Sequence, residues 1–184
     1  NNLFSKSKPK ISQDLFTVLG LRKTSKEQLA IRRANEVAGK GLEAFYKNIR
    51  PGVSEADIAA AVEFEIHSNS GKGNYDLARG WAHVQGGENI YLGGTFSRSS
   101  GNVLKEGDLV IIELATCVDG YWSDLTRTAA VGQIDDRKRD LLSSVKEAQK
   151  SAINAIRPGI SHEEVYAVAR KCLAEKQIAT GFTH

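Results

Sequence analysis

Glu113 and Asp124 flank the dipeptide Asp119-Gly120, and their spacing gives them the means to act together. Residues 109–118 and 121–131 are rich in β-branched and aliphatic side chains, and Asp-Gly between two such runs is a strong hairpin signal. A two-residue turn there sets Glu113 opposite Thr126 and Ala115 opposite Asp124. The two acids then become diagonal neighbours on one face, with Cβ atoms within about 8 Å. At that range two carboxylates repel unless a cation, a proton or a basic side chain lies between them. Oxygen donors of this kind suit hard divalent ions such as magnesium or manganese. The competing reading is ordinary: both acids pair with Arg127, Arg98 or a lysine, or face water. Two features favour the ion. Glu113 interrupts an otherwise apolar run, where an unpaired charge is costly, and Trp122-Ser123-Asp124 puts a second acid in the adjacent strand.

Other chemistries find less support. No serine sits in a nucleophile-elbow pattern, and Cys117 has no evident activating base. Cys117 and Cys172 are the only cysteines, their separation fits no zinc spacing, and they read as reduced thiols. His67, His83 and His162 read as surface or core-edge residues. Gly71 and Gly73 lack the following Gly-Lys-Ser/Thr of a phosphate loop and read as a turn.

The elements that must position the two acids follow from the apolar pattern. From Ser25 to Ile49 the chain has no proline, and Leu29, Ile31, Ala34, Val37, Ala38, Gly41, Leu42 and Phe45 recur near helical spacing, with Ser25 as the expected N-cap. After Arg50-Pro51-Gly52, Ser54 caps a second helix with Asp57 at its third position and Ile58, Ala61, Val62 and Ile66 down one face. Glycine-rich residues 69–74 form a loop, and a strand follows around residues 81–84. Gly86-Gly87 and Gly93-Gly94 bracket a short segment, Ile90-Tyr91-Leu92. Beyond the hairpin, a third helix runs over residues 135–156, and Ser161 with Glu164 opens a fourth that ends near Lys176. Residues 1–13 read as a linker or the remnant of an N-terminal domain, and the packed domain starts after them.

Ile49-Arg50-Pro51-Gly52-Val53-Ser54 recurs as Ile156-Arg157-Pro158-Gly159-Ile160-Ser161, with helices on both sides each time. That recurrence argues for two related halves and a pseudo-two-fold α+β fold. The first half has room for a full set of strands after its corner; the second does not, so it reads as incomplete, with an exposed sheet edge.

Charge and composition narrow the partners. The net charge of +3 divides unevenly: eight Lys or Arg against two acids up to Arg33 leave the remainder at −3. Without interleaved aromatics this basic start reads as a solvated linker and not a nucleic-acid site. No run approaches the roughly 18 apolar residues of a membrane span, and no signal core follows the polar start, so a cytoplasmic location without membrane contact is expected.

Gly107-Asp108-Leu109-Val110-Ile111-Ile112-Glu113, followed by residues 119–128 (Asp-Gly-Tyr-Trp-Ser-Asp-Leu-Thr-Arg-Thr), resembles the stretch in which pita-bread metallopeptidases carry their first two metal ligands. That family includes methionine aminopeptidase, aminopeptidase P and prolidase. The resemblance runs from about Leu15 to His184, and the Arg-Pro-Gly repeat agrees with the family's internal two-fold symmetry. It implies that residues 14–184 are a partial pita-bread catalytic domain, that Asp124 bridges two divalent metal ions, and that Glu113 stands where the first ligand is usually an aspartate. Manganese or cobalt is the expected metal, with zinc and iron as alternatives. The longer Glu113 departs from the family pattern and puts geometry and metal preference in question. A second departure is Ile90-Tyr91-Leu92, where relatives carry a substrate-contacting histidine. Gly181-Phe182-Thr183-His184 resembles the lead-in to the family's metal-binding histidine motif, and His184 matches the histidine that steadies the substrate or transition state.

The resemblance implies hydrolysis of an N-terminal peptide bond by a metal-activated water without a protein nucleophile. Xaa-Pro peptides are the expected substrates, because the basic start fits the domain arrangement of aminopeptidase P. The remaining histidine and two glutamate ligands are expected beyond this stretch, so the 184 residues are not expected to turn over substrate alone. A peptide substrate and a homodimer are the partners this reading carries. Its rival is a non-catalytic pita-bread module that binds peptides or proteins; a creatinase-like hydrolase is disfavoured by Glu113 and Asp124.

Overall fold

The computed structural model describes residues 13–72, 75–92 and 98–178, with backbone alone for Gln13, Tyr91 and Leu92. The order is α1 (Gln13–Leu21), α2 (Ser25–Asn48), α3 (Glu55–His67), β1 (Ala78–Gly86), α4 (Asn89–Leu92), β2 (Leu109–Val118), β3 (Tyr121–Ala130), α5 (Asp136–Ala155) and α6 (His162–Glu175). The architecture is α+β, as expected.

Local chemistry sets the helix limits. Thr24, not Ser25, caps α2: its side chain accepts from the Glu27 N–H, and the Glu27 carboxylate accepts from the Thr24 N–H. The cap falls one residue early because glutamate then sits at the third helical position, where a capping box needs it. Ser54 caps α3, Asp135 caps α5, and Ser161 caps α6 in a second capping box with Glu164. The first nine described residues depart from expectation. They form α1, whose Leu15, Phe16, Val18, Leu19 and Leu21 are all exposed, so core packing begins with α2.

The three strands form an antiparallel meander, β1-β2-β3. Asp119 and Gly120 both take positive φ, 48° and 87°, as a two-residue hairpin turn of the primed type requires. The register is the expected one, with Glu113 opposite Thr126 and Ala115 opposite Asp124. The Asp119 carboxylate also accepts from the Asp76 and Leu77 N–H groups at 3.1 and 2.9 Å, tying the entry of β1 to the hairpin turn.

One sheet face carries the core. Ala78, Ala82 and Val84 of β1 and Val110, Ile112 and Leu114 of β2 are buried against α2 and α3, which supply Ala34, Val37, Ala38, Phe45, Ile58, Val62 and Ile66. Ile66 fits because two neighbours lack side chains: a Cβ on Gly80 would lie 2.5 Å, and one on Gly41 2.8 Å, from the Ile66 Cδ1. The opposite face, bearing Trp81, His83, Glu113, Asp124 and Thr126, is half-buried or exposed. No described helix is long and apolar enough to cross a membrane.

The two Pro-Gly corners share one backbone. Ile49 and Ile156 close the preceding helices at φ, ψ of −70°, 110° and −66°, 119°, Gly52 and Gly159 both take φ of 88°, and Ser54 and Ser161 lie at −83°, 157° and −81°, 157°. Such agreement gives the sequence repeat a structural counterpart. Among the described residues, three strands accompany the first helix pair, whereas α5 and α6 pack chiefly on each other.

Candidate metal centre

Alternation along β2 places Leu114 and Ile112 in the core and sends Glu113 to the open face. The acid therefore interrupts the apolar run in sequence but not the core in space. Asp124 is exposed on β3, one row along. The period of two thus spares Asp124 the cost of burial and leaves Glu113, half-buried, with only part of it.

The two carboxyls are diagonal neighbours on the open face, close enough for each to act on the other. Burial lifts the Glu113 carboxyl above its ordinary range, and the adjacent Asp124 adds to the rise; a hydrogen bond from Thr126 and the attraction of His83 oppose it. The Thr126 hydroxyl donates to Glu113 Oε2. Arg127, which the alternative reading made a partner, instead donates to the Thr126 carbonyl at 2.7 Å. The salt bridges among the described residues are Lys138–Asp135, Arg139–Asp136 and Lys176–Glu147, so no lysine or arginine salt bridge reaches either acid there.

This donor set fits a hard divalent cation in part. It offers carboxylate oxygens on an accessible face with mutual repulsion to relieve. Among the described residues no cluster of three or more His, Cys, Asp and Glu side chains is poised around a metal position, so the pair alone is an incomplete cage. Beside it, Trp81 lies in the same cross-strand row as Ala115 and Asp124, and its ring stacks on Trp122 with centroids 5.0 Å apart and planes 22° off parallel. The stacked pair forms an aromatic wall next to Asp124.

His184 lies outside the described residues, as do residues 93–97 next to Ile90-Tyr91-Leu92. His67 and His162 are exposed, in keeping with a surface reading. His83 is different: β1 places it directly opposite Glu113. Sequence reasoning missed that neighbour because the pairing of β1 with β2 spans a long loop and leaves no local signal.

A second acid went unnoticed for the same reason. Glu55, the first residue of α3, is fully buried. Its Oε1 accepts from the Gly86 N–H, Asn89 Nδ2 and Asn102 Nδ2, and its Oε2 from the Ser100 N–H and hydroxyl, at 2.7 to 3.0 Å. Burial pushes this carboxyl up, but the bonds from Ser100, Asn102 and Gly86 together hold it below the usual carboxylate range. Glu55 thus fastens both ends of the segment between β1 and β2 to α3, and with them the strand that carries Glu113.

Comparison with known proteins agrees with this arrangement. The sequence model of metallopeptidase family M24 matches residues 30–184. The Xaa-Pro dipeptidase of Pyrococcus horikoshii is 30% identical over 174 residues, covering 93% of this chain and 47% of the relative. That of Pyrococcus furiosus is 31% identical over 172 residues, with the same two shares. The solved prolidase from Pyrococcus furiosus superposes with a TM-score of 0.86 at 30% identity, over 95% of this chain and 50% of that one. An Xaa-Pro dipeptidase from Bacillus anthracis gives 0.80 at 29%, over 92% and 46%. The chain spans about half the length of the curated relatives it matches. Its fold is that of the pita-bread peptidases, and with most of its length matched by the family model, the chain belongs to metallopeptidase family M24.

Proposed function

We propose that residues 14–184 form part of the catalytic domain of a metal-dependent exopeptidase acting on Xaa-Pro peptides, and that Glu113 and Asp124 are its first two metal ligands. The observation that carries this reading is the diagonal placing of the two carboxyls on the open sheet face with no lysine or arginine salt bridge to either among the described residues. The similarity to Xaa-Pro dipeptidases supports the substrate class. Two ions, manganese or cobalt, suit the oxygen donors. When bound, such ions polarise a scissile carbonyl and acidify a water.

The chain's own residues do the holding. Thr126 orients the Glu113 carboxylate by donating to Oε2. Asp124, exposed on the next row, presents its oxygens to the same space. The stacked rings of Trp81 and Trp122 lie beside Asp124 on the same face and flank its side of the site. In this reading residues 1–13 are a linker or the remnant of an N-terminal domain, and His184 steadies the substrate.

Calorimetric titration with Mn(II) and Co(II) tests the proposal on this chain and on a Glu113→Ala, Asp124→Ala double variant, with Xaa-Pro peptide hydrolysis assayed alongside. The expected result is metal uptake that the double variant loses. Uptake that persists unchanged in the double variant overturns the assignment of both ligands.

A further inference from the structure

The chain's only two tryptophans meet on the open sheet face. Trp81 stands in the row of Ala115 and Asp124, and Trp122 stands one row nearer the hairpin turn, opposite Cys117. Their strands are the two outer ones, so β2 holds the backbones about 9.5 Å apart. Ring centroids only 5.0 Å apart therefore require both indoles to lean inward over β2. Ala115 and Cys117 beneath them are half-buried, as a roof of two rings requires. The stack thus crosses the sheet as a bar, with Asp124 at its flank and Glu113 in the next row of β2.

Core packing does not explain this pair. The rings stay 42% and 55% exposed, while α2 and α3 pack on the other face. Two large π surfaces here lie beside two carboxyls, neither of which has a lysine or arginine salt bridge among the described residues. That combination suits a ligand with a flat apolar ring and a positive charge a short distance from it. An aromatic residue at the amino terminus of a peptide has both. From Asp124 to Trp122 is a step of about 6.8 Å, which the amino group and ring of one amino acid can bridge. Proline is common to every Xaa-Pro peptide, so a surface that discriminates among such peptides acts on Xaa. We infer that the Trp81–Trp122 stack is a specificity surface that selects an aromatic amino-terminal residue, its ring on the indoles and its amino group on the side of the two acids. The choice of a peptide as ligand rests on the proposed exopeptidase reading; the geometry of the stack does not.

Calorimetry on the whole chain, metal-free and with Mn(II), compares the dipeptides Phe-Pro and Ala-Pro. Tryptophan emission, which comes from Trp81 and Trp122 alone, reports where the ring goes. Phe-Pro is expected to bind at least about fivefold more tightly than Ala-Pro and to shift that emission saturably. Trp122→Leu should bring the two affinities within about twofold, and Trp122→Phe should restore the preference. A stack that merely braced the sheet would lower both affinities together and leave their ratio unchanged. Equal affinities in the unsubstituted chain, a preference that survives in Trp122→Leu, or no binding of either peptide overturns the inference. The metal centre fails separately: a preference for Phe-Pro without Mn(II) uptake removes the centre and keeps the surface, and Mn(II) uptake with equal peptide affinities does the reverse.

Discussion

The helix pairs α2–α3 and α5–α6 turn the same corner with the same glycine conformation and the same serine cap, but their surroundings differ. At the first corner the N–H groups of Gly52, Glu55 and Ala56 donate to the carbonyls of Leu104, Asn102 and Ser100, so a neighbouring segment closes over the start of α3. Among the described residues no such segment meets the second corner. Moving 107 positions along the sequence takes Ala38, Gly41, Phe45, Ile58, Val62 and Ile66, all buried, to Val145, Ala148, Ala152, Val165, Ala169 and Leu173. Those six line an open apolar groove of about 710 Å³. Local sequence thus builds the same corner twice, whereas burial depends on what lies across from it. The side-chain sizes agree: Gly41, which leaves room for Ile66 beneath the sheet, is replaced by Ala148, and the large Phe45 by the small Ala152.

The sharpest way to break this comparison is to substitute matched positions. Ile66→Ala should cost about 3 to 4 kcal/mol, because the sheet and two helices enclose the cavity it leaves. Leu173→Ala should cost about 1 to 2 kcal/mol, because one side of the groove is open. Urea unfolding of both variants checks this, and equal losses would mean that the sheet adds nothing to the first pair.

Glu55 and His162 occupy the same place after their corners, yet one is enclosed by five donors and the other is exposed. Glu55→Ala should destabilise by about 3 kcal/mol, since it strands buried donors, while His162→Ala should stay within about 0.5 kcal/mol. The pH dependence has a fixed sign. Because folding lowers the Glu55 pKa, its contribution is present above the ordinary carboxylate value and is lost as pH falls through the lowered one. Acid unfolding of Glu55→Gln should lack that loss.

Glu113 runs the other way. Its carboxyl is raised, so its contribution is present at low pH and is lost as pH rises from the ordinary carboxylate value through the raised one. In metal-free protein Glu113→Gln should flatten that slope in a series of thermal melts. The smallest effect belongs to the outer surface of α5. Ile153 is 59% exposed, and Ile153→Glu should change stability by less than about 0.5 kcal/mol. A large loss there would show that α5 is covered in solution.

Much of this layout is legible along the chain because its causes are local. Asp119-Gly120 fixes the hairpin register, since few residue pairs accept two successive positive φ values, and that register alone makes Glu113 and Asp124 neighbours. The capping residues mark the helix starts to within one position, and the repeated Arg-Pro-Gly predicts two matching corners. The placements of His83 and Glu55 are not legible in this way. His83 comes to lie opposite Glu113 through the β1–β2 pairing, and Glu55 finds its donors in residues 31 to 47 positions distant.

By itself, then, the sequence determined the turns, caps, corners and the diagonal pairing of two acids, all of which follow from φ preferences and short-range hydrogen bonds. The tertiary structure decided which sheet face is core, that Glu113 therefore lies on the open side, and which of two equivalent helix pairs is enclosed among the described residues. Those outcomes depend on long-range strand pairing and on the apolar surface each element finds opposite it, quantities that no local window of residues contains.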